Sequence, residues 1–446
     1  MKVSYKPLWH TLLEMGMTKE DLRQNAKLTT NAIASMGKDR NVSMATLLKI
    51  CETLKCDLSK VVEITDFASM DKQEFTIEDN SFIDACSNSS LQAVKNNFGP
   101  KLVSLFSGCG GMDVGFERAG FTRVWANDFD KDAQAVFSLN LGEIDGRDIT
   151  TVPVEDIPDC DIITAGFPCQ PFSNAGNRKG VYDARGELYL ECLRIIESKK
   201  PRAVLFENVK GLLSSKHQNG KRLIEVIQED LESLGYTVNY RVVNASDYGV
   251  PQNRERMILV ALRSDLGKTF EFPPILADKS KLTLRHILNI PSDAPNQSSY
   301  WAYSPQAQAM IEMIPEGGSW KNIPYESLSP RFQRIRDDMK KYHAPNFYRR
   351  FSLDEINGTI TASAQPENCG ITHPTQNRRY TIREIARIQT FPDDFIFIDD
   401  SLKDIIAMYK VIGNAVPCHL AEVIATAIMK QAFAEVKEEY NEPLCK

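Results

Sequence analysis

Long apolar runs are missing from this chain. No stretch of about eighteen apolar residues, the length a membrane-spanning helix needs, occurs in its 446 residues. The opening MKVSYKPLWHTLLEMGM has no basic region leading into an apolar core and a small-residue cleavage site, so no secretory leader is expected and the chain reads as cytoplasmic. Paired cysteines are missing too: Cys51, Cys56, Cys86, Cys109, Cys160, Cys169, Cys192, Cys369, Cys418 and Cys445 include no CxxC pair. That scatter argues against a disulfide framework and a thiolate zinc cluster; no metal site is expected, and most thiols should be reduced, buried small hydrophobes. A general excess of positive charge is absent as well, since the net charge of −6 argues against a uniformly basic polyanion binder. What is present, 42% hydrophobic and 25% charged residues, is ordinary for a cored protein of several domains.

Positive charge is instead local. Arg331, Arg334, Arg336, Lys340, Lys341, Arg349 and Arg350 stand against Asp337 and Asp338, a local excess of +5, and Arg378, Arg379, Arg383 and Arg387 follow. Such a cluster is either a nucleic-acid footprint or a solvated helix face.

Residues 1–66 read as short helices only. Leu8, Trp9, Leu12 and Leu13, then Leu22, Ile33, Leu47, Leu48, Ile50 and Leu54, recur at helical spacing, and Thr18 and Ser43 stand where helix N-caps belong. A helix, a turn at Gly16, a short helix and then LTTNAIASMGKDR resemble the helix-turn-helix domain of phage-repressor-type regulators. By that resemblance the second helix carries Thr29, Thr30, Asn31, Ser35 and Lys38 and enters a DNA major groove. The alternative is a helical module for packing or dimerisation. Residues 67–99, acidic and small-polar without period, read as a linker.

From residue 102 the runs LVSLF, VWAND, DIITAGF, AVLFENV, VNYRVVN and RMILVAL alternate with helical stretches at 131–139, 187–198 and 221–234. This predicts an α/β, Rossmann-like, doubly wound and mostly parallel sheet over 100–263, with chemistry at the carboxyl ends of its strands. LVSLFSGCGGMDVGFERAG is a strand, a glycine turn and a helix; Gly108, Gly110 and Gly111 let backbone approach a ligand closely. About twenty residues on, Asp128 suits ribose hydroxyls and Phe129 an adenine face. No GKS or GKT follows, which disfavours a triphosphate cradle.

AGFPCQPFS places Cys169 at the mouth of the sheet, immediately after a predicted strand. Taken alone, a lone cysteine is an inert core thiol; its company changes that reading. FSGCGG, GFPCQPFS, ENVKGL, PQNRERMILV, RRYTIREIARIQTFPDDF and YKVIGNAVP resemble, in identity, order and spacing, the motifs of the DNA cytosine-5 methyltransferases, over roughly residues 100–263 and 378–430.

The resemblance implies S-adenosyl-L-methionine as cofactor, held by Phe106, Ser107, Gly108, Gly110, Gly111, Asp128, Phe129, Asp148, Ile149, Pro168, Leu188, Asn414 and Val416. It implies double-stranded DNA as substrate and Cys169 as a nucleophile adding to cytosine carbon 6, because carbon 5 is too electron-poor to attack a sulfonium methyl unaided. Glu207 is expected to hold or protonate ring N3, Asn208 to brace the Cys169 loop, Arg256 to meet the cytosine carbonyl, and Arg254 to brace Glu207. Arg254 and Arg256 alternate with Glu255, so on a strand they share a face; a charged edge strand would show the same pattern.

Gln170, Ser173 and Arg185, within a glycine-punctuated stretch read as a lid, are the expected DNA contacts beside Thr29, Thr30, Asn31 and Lys38. Residues 264–377 are expected to be the target-recognition domain, in which Tyr342, Phe347 and Tyr348 are core or contact, and 378–440 the segment returning to complete the catalytic domain. Three readings stand: a DNA methyltransferase of a restriction-modification system or acting alone, with a possible partner endonuclease at the same site; an RNA cytosine methyltransferase on this scaffold; and a DNA-binding regulator with a dead catalytic domain. A monomeric catalytic unit is expected, with dimerisation open to the N-terminal helices.

Overall fold

In the unit Met1–Thr76, leucines at helical spacing close a small core. The protein, seen as a computed structural model, is described over residues 2–65 and 99–434, apart from 169–187, 339–345 and shorter interruptions at 6–7, 10, 13–14, 16, 37–41, 57–59, 216, 218–219, 277, 368 and 400–403. Strand β1 (Lys2–Ser4) is followed by helices α1 (Lys19–Asn25), α2 (Thr30–Met36) and α3 (Met44–Leu54) and by β2 (Glu63–Thr65). Leu8, Leu12, Leu22, Leu47, Ile50 and Leu54 pack together in the interior. The Thr18 hydroxyl and the Asp21 carboxylate form a reciprocal capping box on α1, and Ser43 caps α3.

Two expectations are corrected here. The unit is not helical only, because β1 and β2 pair antiparallel with Lys2 opposite Thr65; strands of three residues carry too few positions to print a period. Thr29 precedes α2 rather than lying in it, and its hydroxyl accepts the Ala32 N–H at 3.2 Å.

The unit Ile77–Lys446 is built on six strands. They are β3 (Lys101–Leu105), β4 (Thr122–Asn127), β5 (Ile162–Ala165), β6 (Ala203–Val209), β7 (Tyr236–Asn244) and β8 (Glu255–Arg263), in the order β4-β3-β5-β6-β8-β7. The first four run parallel, whereas β8 is antiparallel to both its neighbours, so the sheet is mixed. Central strands buried on both faces read as unbroken apolar runs, which is why IITA and AVLF lack alternation.

Successive residues still serve opposite layers. Leu102, Ile162 and Leu205 join Met112 and Phe116 of α4 (Gly111–Arg118) and a C-terminal helix, Cys418–Ala432. Val103, Ile163, Val204 and Phe206 join α6 (Leu188–Lys199) and α7 (Leu223–Ser233) on the other face. Helix α5 (Lys131–Leu141) packs Val136 and Phe137 in a third cluster with residues beyond 280.

After β8 the chain is irregular, with helices α8 (Pro305–Glu312), α9 (Pro330–Asp337) and α10 (Ile382–Ile388) before α11 (Ile405–Asn414) and α12, the helix Cys418–Ala432 already met. Its arginines are mostly internal, which corrects the reading of them as one basic patch. Arg350 donates to the Ile311 carbonyl and Asn377, Arg379 to the carbonyls of Ala364, Trp301 and Ala302, and Arg383 to those of Pro295, Pro392 and Phe395. Arg387 bonds Asp393 and the carbonyls of Ile287 and Asn289, Arg378 pairs with Glu384, Arg349 with Glu355, and Arg336 holds the carbonyls of Ile323 and Lys321.

A segment poor in regular structure leaves many backbone carbonyls unpaired, and the guanidinium fork, with five N–H donors, satisfies several at once. Arg331 and Arg334 remain exposed, while Lys340, Lys341 and Tyr342 lie outside the described residues. Phe347 and Tyr348 are core, packed against Phe332 and each other. The stretch Ile405–Ala432 is long and apolar, yet 78% of its most apolar window is buried inside the fold, as befits a core element.

Candidate active site

The carboxyl ends of β3, β4 and β6 open onto one cavity of about 450 Å³. β3 runs into a turn in which Phe106 holds a left-handed backbone (φ 54°) and Gly108 follows it (φ 57°). A side chain on Gly108 would stand in open space rather than against protein, so the turn leaves room for a ligand beside its backbone. A strained non-glycine residue at a cavity wall is the kind of conformation that surrounding structure holds for function.

At the end of β4, Asp128 lines the cavity. One of its oxygens accepts the Gly108 N–H at 2.7 Å and the other the Asp130 N–H at 2.8 Å. Burial pushes its pKa up, against the pull of those two N–H groups. Each carboxylate oxygen keeps a second lone pair, so hydroxyl donors from a ribose fit this group. Phe129 beside it is 64% exposed, a large apolar ring left uncovered on the cavity wall. Lys410 crosses to Asp130 at 2.6 Å on the same rim.

Farther in, β6 supplies Glu207 and Asn208. The Glu207 carboxylate receives Arg256 Nε at 2.9 Å, both side chains being largely buried at 12% and 14% exposure. The pairing follows from register: Arg256 lies opposite Val209 on antiparallel β8, two residues along the face that carries Glu207. Asn208 Nδ2 donates to the Phe167 carbonyl at 3.0 Å, two residues before Cys169. Phe167 and Pro168 line the cavity with Gly166; Cys169, Gln170, Ser173 and Arg185 fall outside the described residues, as does Lys38. Thr30 and Asn31 lie in α2, where their side chains are not described.

Arg254 is placed differently from expectation. It precedes β8, is 1% exposed, and its guanidinium donates to the carbonyls of Ile360 (2.8 Å), Gly413 (3.0 Å) and Ala415 (3.1 Å); the carboxylate of Glu207 is bonded by Arg256 instead. Burial pulls its pKa down to about 9. Because β8 begins only at Glu255, strand alternation does not govern Arg254.

The return segment closes the far wall with Val411, Asn414, Ala415 and Val416. It comes very close to α4: a Cβ on Gly111 would meet the Val416 carbonyl oxygen at 2.4 Å, and one on Gly115 the Cys418 oxygen at 2.4 Å. Gly111 therefore serves packing, as does Gly110, whose Cβ would meet Leu141 of α5 at 2.2 Å, and both lie behind the wall. Asp148, Ile149 and Leu188 are not on it either; the Asp148 carboxylate caps its own turn by accepting the Thr150 N–H and hydroxyl, Ile149 packs in the core and the half-buried Leu188 packs against it. Residues that sequence reasoning missed are Met112, Val209, Lys410 and the strip Thr359–Ala362. Lys410 was in view within YKVIGNAVP, but the strip carries no periodicity that marks it.

Asp113, in the first turn of α4, is wholly buried behind this wall. The Ser104 hydroxyl donates to its Oδ2 at 3.1 Å, Arg123 Nε lies 3.6 Å from Oδ1, and burial pushes its pKa up to about 7. The cavity-lining Ser107 in turn donates to Ser104. A larger hollow of about 770 Å³ lies between Trp301–Met310, Ser329–Phe332 and Gln365–Glu367. Among its described lining residues there is no glycine turn, Glu367 accepts from the Tyr348 hydroxyl and Arg379 is spent on backbone carbonyls, which leaves the smaller cavity as the place for chemistry.

Comparison with known proteins agrees with this geometry. Residues 100–430 match the family model of C-5 cytosine-specific DNA methylases, and residues 7–66 that of the Cro/C1-type helix-turn-helix DNA-binding domain. The Type II methyltransferase M.NgoFVII of Neisseria gonorrhoeae is 39% identical over 353 residues, covering 76% of this chain and 89% of the relative. M.Sau96I of Staphylococcus aureus is 30% identical, covering 92% of this chain and 94% of its own length. Among solved structures, a putative DNA modification methyltransferase encoded within an Escherichia coli prophage superposes with a TM-score of 0.53 at 21% identity, over 74% of this chain and 99% of its own, a likeness of fold. The cofactor of this family is S-adenosyl-L-methionine, and the turn with room at Gly108, the ribose-competent Asp128 and the open face of Phe129 fit it. The chain therefore belongs to the C-5 cytosine-specific DNA methylase family, a DNA (cytosine-5-)-methyltransferase carrying a Cro/C1-type helix-turn-helix domain at its N-terminus.

Proposed function

We propose that this enzyme is the site-specific, Type II modification methyltransferase of a restriction-modification system or a solitary counterpart, and that it works through a covalent adduct of Cys169 with a flipped cytosine. The observation that carries the reading is the Glu207–Arg256 ion pair, set in the same cavity as the glycine turn and Pro168, the residue before Cys169. S-adenosyl-L-methionine supplies an electrophilic methyl group on a sulfonium.

The chain's residues do the rest. The Cys169 thiolate adds to carbon 6, its electron pair forming the S–C bond and pushing ring density toward carbon 5 and N3. Glu207 meets N3, and a proton held between its carboxylate and N3 neutralises the charge that develops on the ring, while Arg256 holds the carboxylate in place. After transfer, the carbon 5 proton leaves to a base, the C–S bond breaks, and Cys169 departs as thiolate. A base within a duplex is out of reach of such a cavity, which is why flipping is part of the proposal.

Supporting the Type II assignment are relatives that carry that name at 30–39% identity. In this reading Asn208 steadies the Cys169 loop through Phe167, and Gln170, Ser173 and Arg185 meet DNA. A Cys169→Ser variant that keeps cofactor and duplex binding should lose methyl transfer by at least ~10³-fold, the scale for removing a covalent nucleophile. Transfer at the parent's rate would sink the covalent step.

The helix-turn-helix unit is proposed to bind a second DNA site, the promoter of its own operon, as a dimer or monomer, with the whole acting in the cytoplasm. A second reader is superfluous for a methylase whose own segment 264–377 reads the target. Deleting residues 1–66 should spare methylation and abolish promoter binding in a gel shift; unchanged promoter affinity would discard the idea.

A further inference from the structure

Three buried polar side chains that the reaction does not use converge at the cavity wall, Arg254 on its lining and two glutamines behind it. Gln252 and Gln389 are 0% exposed and Arg254 1%. Gln252 Nε2 donates to Gln389 Oε1 at 2.9 Å, and Gln252 Oε1 accepts the Ile360 N–H at 2.9 Å. Arg254 takes the Ile360 carbonyl, so both backbone polar groups of one residue are held by side chains of the PQNR stretch. Gln389 Nε2 donates to the carbonyls of Ile412 (2.7 Å) and Ala415 (3.3 Å), while Arg254 takes those of Gly413 and Ala415. The two segments held in this way, Thr359–Ala362 and Gly413–Val416, are both cavity wall, and they touch so tightly that a Cβ on Gly413 would lie 2.5 Å from the Thr361 carbonyl.

We infer that Gln252, Arg254 and Gln389 are positioning residues: they clamp two segments, distant in sequence, into one rigid wall, and the affinity for S-adenosyl-L-methionine depends on that clamp. Neither glutamine lines the cavity. Each amide is satisfied on both its donor and its acceptor side and both terminal nitrogens of Arg254 are bonded, its Nε alone being left without a partner, so the connected groups specify one arrangement of the two segments. The wall carbonyls at Gly413 and Ala415 end helix α11, where no further turn of helix pairs them, and that of Ile412 accepts the Ala415 N–H besides Gln389, so without the clamp the first two would turn to water and the wall would open. The inference rests on the reading that this cavity holds the cofactor.

The test measures the dissociation constant for tritiated S-adenosyl-L-methionine on the full chain, with hydrogen exchange read on the peptides covering 357–362 and 411–416. Gln389→Met, which keeps volume and removes both amide functions, should weaken binding by about tenfold, the loss of roughly one buried hydrogen bond's worth of preorganisation. It should also speed exchange at the Ile360 amide. Arg254→Lys, keeping charge and one donor group, should lie between Gln389→Met and the parent. Arg383→Lys removes carbonyl contacts of the same kind away from the cavity; it should lower the melting temperature yet leave the dissociation constant within twofold.

If Gln389→Met folds and binds cofactor as the parent does, or if Arg383→Lys weakens binding as much, the clamp is only structural and the inference falls. Should Gln389→Met not fold, the parent protein decides: adding cofactor should slow exchange in both wall segments by the same factor, and slowing in one alone overturns the clamp. An unchanged affinity in Asp128→Ala, with no exchange response around Gly108, would show that the cofactor lies elsewhere and would sink both readings. A response at Gly108 without one at the two wall segments would sink the clamp alone.

Discussion

Replacing Asp113 by asparagine should raise stability at neutral and alkaline pH and leave it nearly unchanged in acid. The carboxyl is wholly buried, Ser104 is its hydrogen-bond donor, and Arg123 stands at 3.6 Å, too far for a hydrogen bond. Burial outweighs those two favourable neighbours and the pKa rises to about 7. A folded-state pKa above the unfolded one means that the native protein binds the extra proton; stability from this group is complete below about pH 4 and is lost as pH climbs to about 7.

From the ordinary carboxylate range to about 7 is roughly a thousandfold in proton affinity, so the loss has a ceiling of about 4 kcal/mol at 1.36 kcal/mol per decade. Asparagine keeps the size and the acceptor for Ser104 and has no charge to bury. Urea unfolding followed by circular dichroism at pH 5 and pH 8 should show the parent's midpoint falling relative to that of Asp113→Asn by an amount worth about 2–4 kcal/mol. Parallel pH profiles for the two proteins would refute the argument, and a parent that gains relative stability as pH rises would reverse its sign.

Further outcomes follow from the same geometry. Gly115→Ala sets a methyl group 2.4 Å from the Cys418 oxygen and 2.6 Å from Ala421 Cβ; overpacking of about 1–3 kcal/mol should exceed the ~1 kcal/mol that alanine adds to helix propensity, and calorimetry should show a lower melting temperature. Arg256→Met leaves Glu207 buried without its partner and should lower kcat by about 10²-fold or more in a methyl-transfer assay, with little change in cofactor affinity. Asp128→Ala should raise KM for S-adenosyl-L-methionine by roughly tenfold or more while kcat at saturation changes less. Arg331→Ala and Arg334→Ala should reduce the salt dependence of duplex binding by about one phosphate each if they face DNA, and a slope equal to the parent's would remove them from the interface.

Much of this was legible in the sequence, for identifiable reasons. All six strands appear where apolar runs predict them; the central ones are buried on both faces and write themselves as uninterrupted valine, isoleucine and leucine, while the edge strands β4 and β7 show as shorter apolar runs broken by polar residues. Asp128 was legible because a strand end about twenty residues past a glycine turn is a chemical address. Glu207 and Arg256 were named separately, yet their pairing depends on β8 running antiparallel beside β6, and direction is not encoded in periodicity.

The role of Arg254 was misjudged for a related reason: its partners are backbone carbonyls at residues 360, 413 and 415, and carbonyls are the same at every position of a sequence. The same blindness made buried arginines look like a DNA-binding patch. Gly110 and Gly111 look like ligand glycines in one dimension, and in three the first makes room for Phe137 and Leu141 of α5 and the second for the returning segment.

The arginine-to-carbonyl bonds that hold the irregular segment have an evolutionary corollary. A framework secured by side chains gripping main chain is indifferent to what neighbouring side chains are, so surface loops between the grips are free to change their lettering without loosening the scaffold. A chain built in this way can substitute its exposed positions while Arg350, Arg379, Arg383 and Arg387 stay fixed. A lysine at any of the four gripping positions would forfeit the fork that makes this freedom available.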